Sequence, residues 1–180
     1  MAKLLPVRIF GDDILRKKLK DVDLKDPDLP RYIEDLTYTM YERDGVGLAS
    51  SQVGEDKRLF VIDPWWGGDE DAEHKPVVMI NPEILEKEGE QVGDEGCISL
   101  PDIFAKVHRA YKIRYRYTTP QGKVVEAEAE GYEAIVIQHE YDHLNGVLFT
   151  DHLSTLARLK VLHKLKELEK SAVNGVNIRA

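Results

Sequence analysis

The chain has 180 residues, of which 42% are hydrophobic and 32% charged, and its formal net charge is −8. That length suits one domain, 1–180, with a real core, and the composition is that of a soluble globular protein. The acidic balance argues against a nucleic-acid binder, DNA included, and no apolar run is long enough to span a bilayer.

The first twenty residues, "MAKLLPVRIFGDDILRKKLK", do not read as a signal peptide. Their apolar run is broken by Pro6 and Arg8, and Asp12 and Asp13 follow. The single cysteine, Cys97, excludes an intrachain disulfide and points to a reducing cytoplasm. "DPDLPRYIEDLTYTMYERDGVG" predicts the first helix. Leu29, Tyr32, Ile33, Leu36 and Met40 share one face, with Asp28 as N-cap and Gly45 as stop. "GVGLASSQVG" (45–54) has neither the third glycine of a dinucleotide loop nor the Lys-Ser/Thr of a P-loop. Gly45 and Gly47 would instead let an extended substrate backbone come close. Gln52 offers a neutral amide that can stabilise an oxyanion.

"RLFVID" (58–63) predicts a strand, and "PWWGGDEDAEHKP" (64–76) a turn-rich loop in which Trp65 and Trp66 pack locally. "VVMINPEIL" (77–85) predicts a strand followed by a turn. In "AYKIRYRYTTPQGKVVEAEAEG" (110–131), Tyr111, Ile113, Tyr115 and Tyr117 alternate with Lys112, Arg114 and Arg116. That pattern predicts a half-buried hairpin around Pro120-Gln121-Gly122. In "STLARLKVLHKLKELEK" (154–170), Leu156, Leu159, Leu162, Leu165 and Leu168, with Val161, predict an amphipathic C-terminal helix. Its other face carries Arg158, Lys160, Lys164, Lys166 and Lys170, which reads first as an ordinary solvated face.

Between these lies "GYEAIVIQHEYDHLNG" (131–146). Ile135, Val136 and Ile137 favour a strand by propensity, but Asn145-Gly146 is a helix stop. His139 and His143 can grip one metal ion only on a helix. As a buried helix it places Tyr132, Ile135, Val136, His139 and His143 on one face, with Glu140 at its edge. Two imidazoles then stand beside an apolar wall, with a carboxylate able to move a proton of a water activated at the metal. The remaining histidines, His74, His108, His152 and His163, read as surface or packing residues.

H-E-x-x-H needs a third ligand. The continuation H-x-x-G-x-x-H fails, because Phe149 occupies the ligand position. Glu167 or Glu169 would serve a metallopeptidase, but both sit among lysines on the C-terminal helix. Cys97 in "GDEGCISLP" is the better candidate, and a Cys-His-His set leaves one position open, as catalysis requires. Three readings stand: hydrolysis with Cys97 as ligand, peptide-bond cleavage with a glutamate as ligand, and a purely structural metal site.

"GVGLASSQ", "EGCIS" and "HEYDH", in that order, resemble the motifs of the peptide deformylase family, written G-φ-G-φ-A-A-x-Q, E-G-C-φ-S and H-E-x-D-H. The chain departs at Ser50, where the family usually has alanine. The resemblance implies an α+β fold, with antiparallel β-sheets packed around a central metal-bearing helix, an N-terminal helix and a C-terminal helix. It implies removal of the N-formyl group from formyl-methionine on nascent polypeptides, with release of formate. Cys97, His139 and His143 would hold Fe²⁺, for which Ni²⁺, Co²⁺ or Zn²⁺ could substitute. Glu140 would move the proton, while Gln52 and the Ile98 backbone N–H stabilise the oxyanion. The methionine side chain would enter the wall of Tyr132, Ile135 and Val136, with Val46, Glu95 and Gly96 nearby, and the peptide would pair with Gly45–Gly47. The resemblance also implies docking of the C-terminal helix on the ribosome.

Overall fold

The computed structural model describes residues 1–179. Its elements in chain order are β1 (Val7–Arg8), α1 (Leu29–Glu42), β2 (Gly47–Ala49), β3 (Leu59–Ile62), β4 (Val77–Glu88), β5 (Gln91–Cys97), β6 (Leu100–Arg109), β7 (Lys112–Thr118), β8 (Val124–Glu130), α2 (Gly131–Leu144), α3 (Thr155–Lys170) and β9 (Ile178–Arg179). The class is α+β, as expected. One antiparallel sheet has the order β2-β3-β4-β7-β8, β5 and β6 form a separate hairpin, and β1 pairs with β9.

The helix α1 buries Leu29, Leu36 and Met40 against β2 and β3, on the predicted face. Its ends differ from expectation. Asp28 has helical dihedrals and makes no side-chain cap; its own N–H is held by the Asp26 carboxylate at 2.9 Å. The left-handed residue that ends the helix is Asp44, at φ 55°, not Gly45. Gly45 is glycine for another reason: a Cβ there would lie 2.6 Å from Ile98 Cδ1.

The expected turn within 77–85 is a bulge inside one long strand. β4 runs through Asn81-Pro82, where the register with β7 shifts and Asn81 takes φ 50°. A bulge tolerates a proline that a regular ladder would not. The Asn81 amide holds the Val22 backbone through both its groups, at 2.8 and 3.2 Å. The β7–β8 hairpin forms as predicted. Ile113 and Tyr115 are buried, and Arg114 and Arg116 reach Glu86 and Glu83 on β4 at 2.8 and 2.9 Å. Tyr111 lies ahead of the strand and is exposed.

The helix α2 is buried nearly all round, which explains why β-branched propensity does not decide its state. It packs on the large sheet, with Ala134, Val136, Ile137 and Leu144 among Phe60, Met79, Ile113 and Tyr115. Gln138 ties it to the β6–β7 connection: its carbonyl accepts from Ala110 N–H at 3.1 Å and its amide donates to Ala110 O at 2.9 Å. The predicted stop is present in Gly146, at φ 72°, where a Cβ would collide with Arg16 O.

The helix α3 forms over nearly the predicted span, capped by Ser154, whose side chain accepts from Ala157 N–H. Its leucine stripe is not a buried face. Val161 and Leu165 are buried against β6 and Phe149, whereas Leu156 and Leu159 are 70% and 58% exposed. Leucines spaced by three residues step about 60° round a helix at each repeat, so five of them cannot share one contact.

Candidate metal centre

Three elements converge beside β2, the edge strand of the large sheet. The segment after α1 enters β2 and then a turn of 3-10 helix, Ser50–Val53, which carries Gln52 inward. The β5–β6 hairpin turns at Ile98-Ser99 and puts Cys97 at the end of β5. The buried face of α2 supplies His139, Glu140 and His143, at 9%, 4% and 1% exposure.

The ligand atoms of Cys97, His139 and His143 lie within 4.8 Å of one another. Cys97 Sγ is 3.4 Å from His143 Nε2. Thiolate and imidazole donors at that separation fit a divalent transition metal or zinc and leave its other positions open. A second observation agrees: Glu140 Oε2 is buried beside the cluster with no hydrogen-bond partner among the described protein groups. Glu140 Oε1 is 4.0 Å from His139 Nε2. Burial pushes the Glu140 carboxyl up to about 7, a range in which it can both take and return a proton. Gly47 makes room for it, since a Cβ there would lie 2.6 Å from Glu140 Oε1.

Gln52 is fixed in orientation. Its carbonyl accepts from Ala49 N–H at 3.0 Å, which turns its amide NH₂ towards Cys97 Sγ at 3.4 Å and Ser99 Oγ at 3.2 Å. Ser50 is fully buried, yet its hydroxyl is satisfied: it accepts from the Tyr32 phenol at 2.8 Å and donates to Leu59 O at 3.2 Å. The departure from alanine thus comes with a partner on α1.

Behind the ligands stands a charged relay. His139 Nδ1–H donates to Glu95 at 2.8 Å, which leaves Nε2 for a metal. Arg109 grips Glu95 through two bonds, at 2.9 and 2.8 Å, and reaches Asp142 at 2.5 Å; Asp142 also bonds His152 at 2.7 Å. Burial alone would raise Glu95, but hydrogen bonds from Arg109 and His139 hold it below the usual carboxylate range. Burial alone would lower His139, but bonds to Cys97 and Glu95 carry it well above the usual imidazole value. Burial and the neighbouring His139 charge hold His143 well below it.

The site opens into a cleft of about 500 Å³. Every residue predicted for the site lines it except His143, which lies behind: Gly45, Val46, Gly47, Gln52, Glu95, Gly96, Cys97, Ile98, Tyr132, Ile135, Val136, His139 and Glu140. The Glu95 carboxylate is committed to Arg109 and His139, while the residue still lines the cleft. Neither Glu167 nor Glu169 joins the cluster. Glu167 pairs with Lys170 on the surface, and the Glu169 backbone packs against Gly11. A metallopeptidase set using either one is therefore not assembled.

Sequence reasoning misses Arg109, Asp142 and His152. Asp142 sits inside the H-E-x-x-H segment, where its carboxylate bonds Arg109 and His152. Arg109 and His152 carry no local signal, because their meaning depends on a hairpin and a turn meeting α2. It also misses the role of Trp66, whose indole N–H donates to Gly45 O at 2.9 Å.

A family model described as Polypeptide deformylase matches residues 4–159. The chain is 47% identical over 167 residues to a peptide deformylase of Thermotoga neapolitana, covering 92% of this chain and 97% of that protein. It is similar in structure to the peptide deformylase of Thermus thermophilus, with TM-score 0.84, 38% identity, and coverage of 94% of this chain and 99% of that one. It is likewise similar to a peptide deformylase from Legionella pneumophila, with TM-score 0.83, 39% identity and coverage of 93% and 96%.

Proposed function

The chain belongs to the peptide deformylase family, and we propose how its residues carry out the hydrolysis. The enzyme is a metal-dependent hydrolase that removes the N-formyl group from formyl-methionine at the start of new polypeptides and releases formate. The observation that carries the residue assignment is the meeting of Cys97, His139 and His143 donors within 4.8 Å, with a buried carboxylate and a fixed amide beside them.

Cys97, His139 and His143 hold the ion. The thiolate with two imidazoles suits Fe²⁺, with Ni²⁺, Co²⁺ or Zn²⁺ as substitutes. When bound, the cation supplies the charge that acidifies water and polarises the formyl carbonyl. Glu140 accepts the proton of the attacking water and delivers it to the amine as the carbon–nitrogen bond breaks. Gln52 Nε2 and the Ile98 N–H donate to the oxygen that becomes negative. The peptide runs along Gly45–Gly47 as an added strand, and its methionine enters the wall of Val46, Tyr132, Ile135 and Val136. A flexible thioether fills such an aliphatic wall well.

The test is formate release from a formyl-Met peptide by protein prepared anaerobically with Fe²⁺, beside Glu140→Ala and Cys97→Ala. Rapid release that both substitutions abolish supports the assignment. No release from fully metallated protein overturns it, as does peptide-bond cleavage that survives Cys97→Ala.

The whole of 1–180 acts as one domain in this reading, supported by Ile98, which packs into two of the three core clusters. None of the described helices is long and apolar enough to cross a membrane. Work on nascent chains and a free ligand thiol support a cytoplasmic setting. There α3 docks on the ribosome through Lys160, Lys164 and Lys166, next to the exposed Leu156 and Leu159. Charge reversal at the three lysines weakens co-sedimentation with ribosomes if so; unchanged co-sedimentation excludes it.

A further inference from the structure

The connection between β3 and β4 carries two adjacent tryptophans in opposite surroundings. Trp66 is 4% exposed. Its indole N–H holds Gly45 O at 2.9 Å, and its ring meets Tyr41 and His74 edge-on, those two being stacked 3.8 Å apart. Tyr41 in turn donates to Asp63 at the end of β3 at 2.6 Å. The start of this loop is therefore pinned to the segment that receives the peptide. Trp65, one residue earlier, is 70% exposed and lies against Tyr132, with ring centroids 5.4 Å apart. Tyr132 is itself 42% exposed and lines the cleft. A paired aromatic surface thus continues the methionine wall outwards, held by a buried anchor at its back.

Resting on the deformylase reading, we propose that Trp65 is a specificity-determining residue that contacts the side chain of the substrate's third residue and favours an aromatic one. An added strand points alternate side chains to the same side. With methionine in the wall of Tyr132 and Ile135, the second residue faces away. The third returns to the same side, about 7 Å further along the strand. The exposed Trp65 adjoins the methionine wall at Tyr132, so a side chain on that side of the peptide is the one placed to meet it. Ring-on-ring contact beyond simple burial then discriminates among substrates.

The experiment measures kcat/KM for C-terminally amidated formyl-Met-Ala-Phe, formyl-Met-Ala-Ala and formyl-Met-Phe-Ala, with wild type and Trp65→Ala. Phenylalanine at the third position is expected to raise kcat/KM over alanine on the order of fivefold in the wild type. That ratio is expected to fall to near one in Trp65→Ala. The ratio of the second-position peptide to the all-alanine one should be the same in both proteins. A wild-type ratio near one, a ratio that survives Trp65→Ala, or an equal change in the second-position ratio would each overturn the proposal. Formate from none of the three peptides would overturn the deformylase reading along with it. Formate from all three at equal rates would overturn this inference alone.

Discussion

In the proposed mechanism Glu140 and Gln52 act on the same substrate carbonyl in different ways, and their substitutions separate the two. Glu140→Gln keeps a neutral group of the same size on Gly47 but cannot carry a proton. We expect kcat to fall about 10²- to 10⁴-fold, the usual worth of a positioned general base. Gln52→Leu removes an amide already oriented by Ala49 N–H. Its expected loss is about 10²- to 10³-fold in kcat. In both, metal content by elemental analysis should match the wild type, and a variant that has lost its metal would refute the assigned role. The ligands make a further prediction about pH. Without metal, His139 is held well above the ordinary imidazole value while His143 is held below it. A metal must displace the proton on His139, so affinity should rise with pH across the neutral range, and calorimetry in buffers of different ionisation enthalpy should report proton release. Affinity independent of pH would show that binding displaces no ligand proton.

At the level of elements, the motif-bearing segments are readable because their residues carry chemistry at fixed local spacing. H-E-x-x-H needs only a helix, and its glycine stop marks where that helix ends. The β5–β6 hairpin is not readable, because Gly93, Asp94, Glu95 and Gly96 look like loop and are ordered by side chains distant in sequence or across the hairpin: Ile135 of α2 over Gly93 and Phe104 of β6 over Gly96. The α3 stripe misleads because a three-residue repeat precesses round a helix. Its buried and exposed leucines should therefore differ sharply. Leu165→Ala should cost about 2–5 kcal/mol by denaturant unfolding, and Leu156→Ala should stay within about 0.5 kcal/mol. Equal costs would mean that Leu156 is covered in solution. The loop of Trp66 tests how firmly β2 must be held. Trp66→Phe keeps the aromatic cluster and loses only the bond to Gly45 O. One hydrogen bond corresponds to about a two- to tenfold rise in KM for formyl-Met peptides, with kcat and metal content unchanged. A fall in kcat at constant KM would place the effect at the chemistry instead.

For the whole molecule, Arg109 is the residue on which separate parts of the fold meet. From β6 it binds Glu95 on β5 and Asp142 on α2, and through Asp142 it reaches His152 in the turn before α3. Nothing beside Arg109 in the sequence announces this; it is a consequence of topology, and it explains why the site is legible down to its ligands but not to what supports them. Arg109→Met keeps the volume and strands Glu95, whose side chain is only 4% exposed. Removing one partner of a buried pair costs about 3–5 kcal/mol, which for a chain of this size lowers Tm by about 2–4 °C per kcal/mol. The pH dependence identifies the cause. In the wild type the folded carboxyl of Glu95 is held below its unfolded value, so its contribution is present above the ordinary glutamate range and is lost as pH falls through the folded value. In the variant, burial without Arg109 raises that carboxyl, and acid removes the stranded charge. The gap in Tm between the two proteins should thus be widest near pH 7 and narrow towards pH 4. A gap that stays constant over that range would assign the loss to packing around the arginine stem, not to the charge it holds.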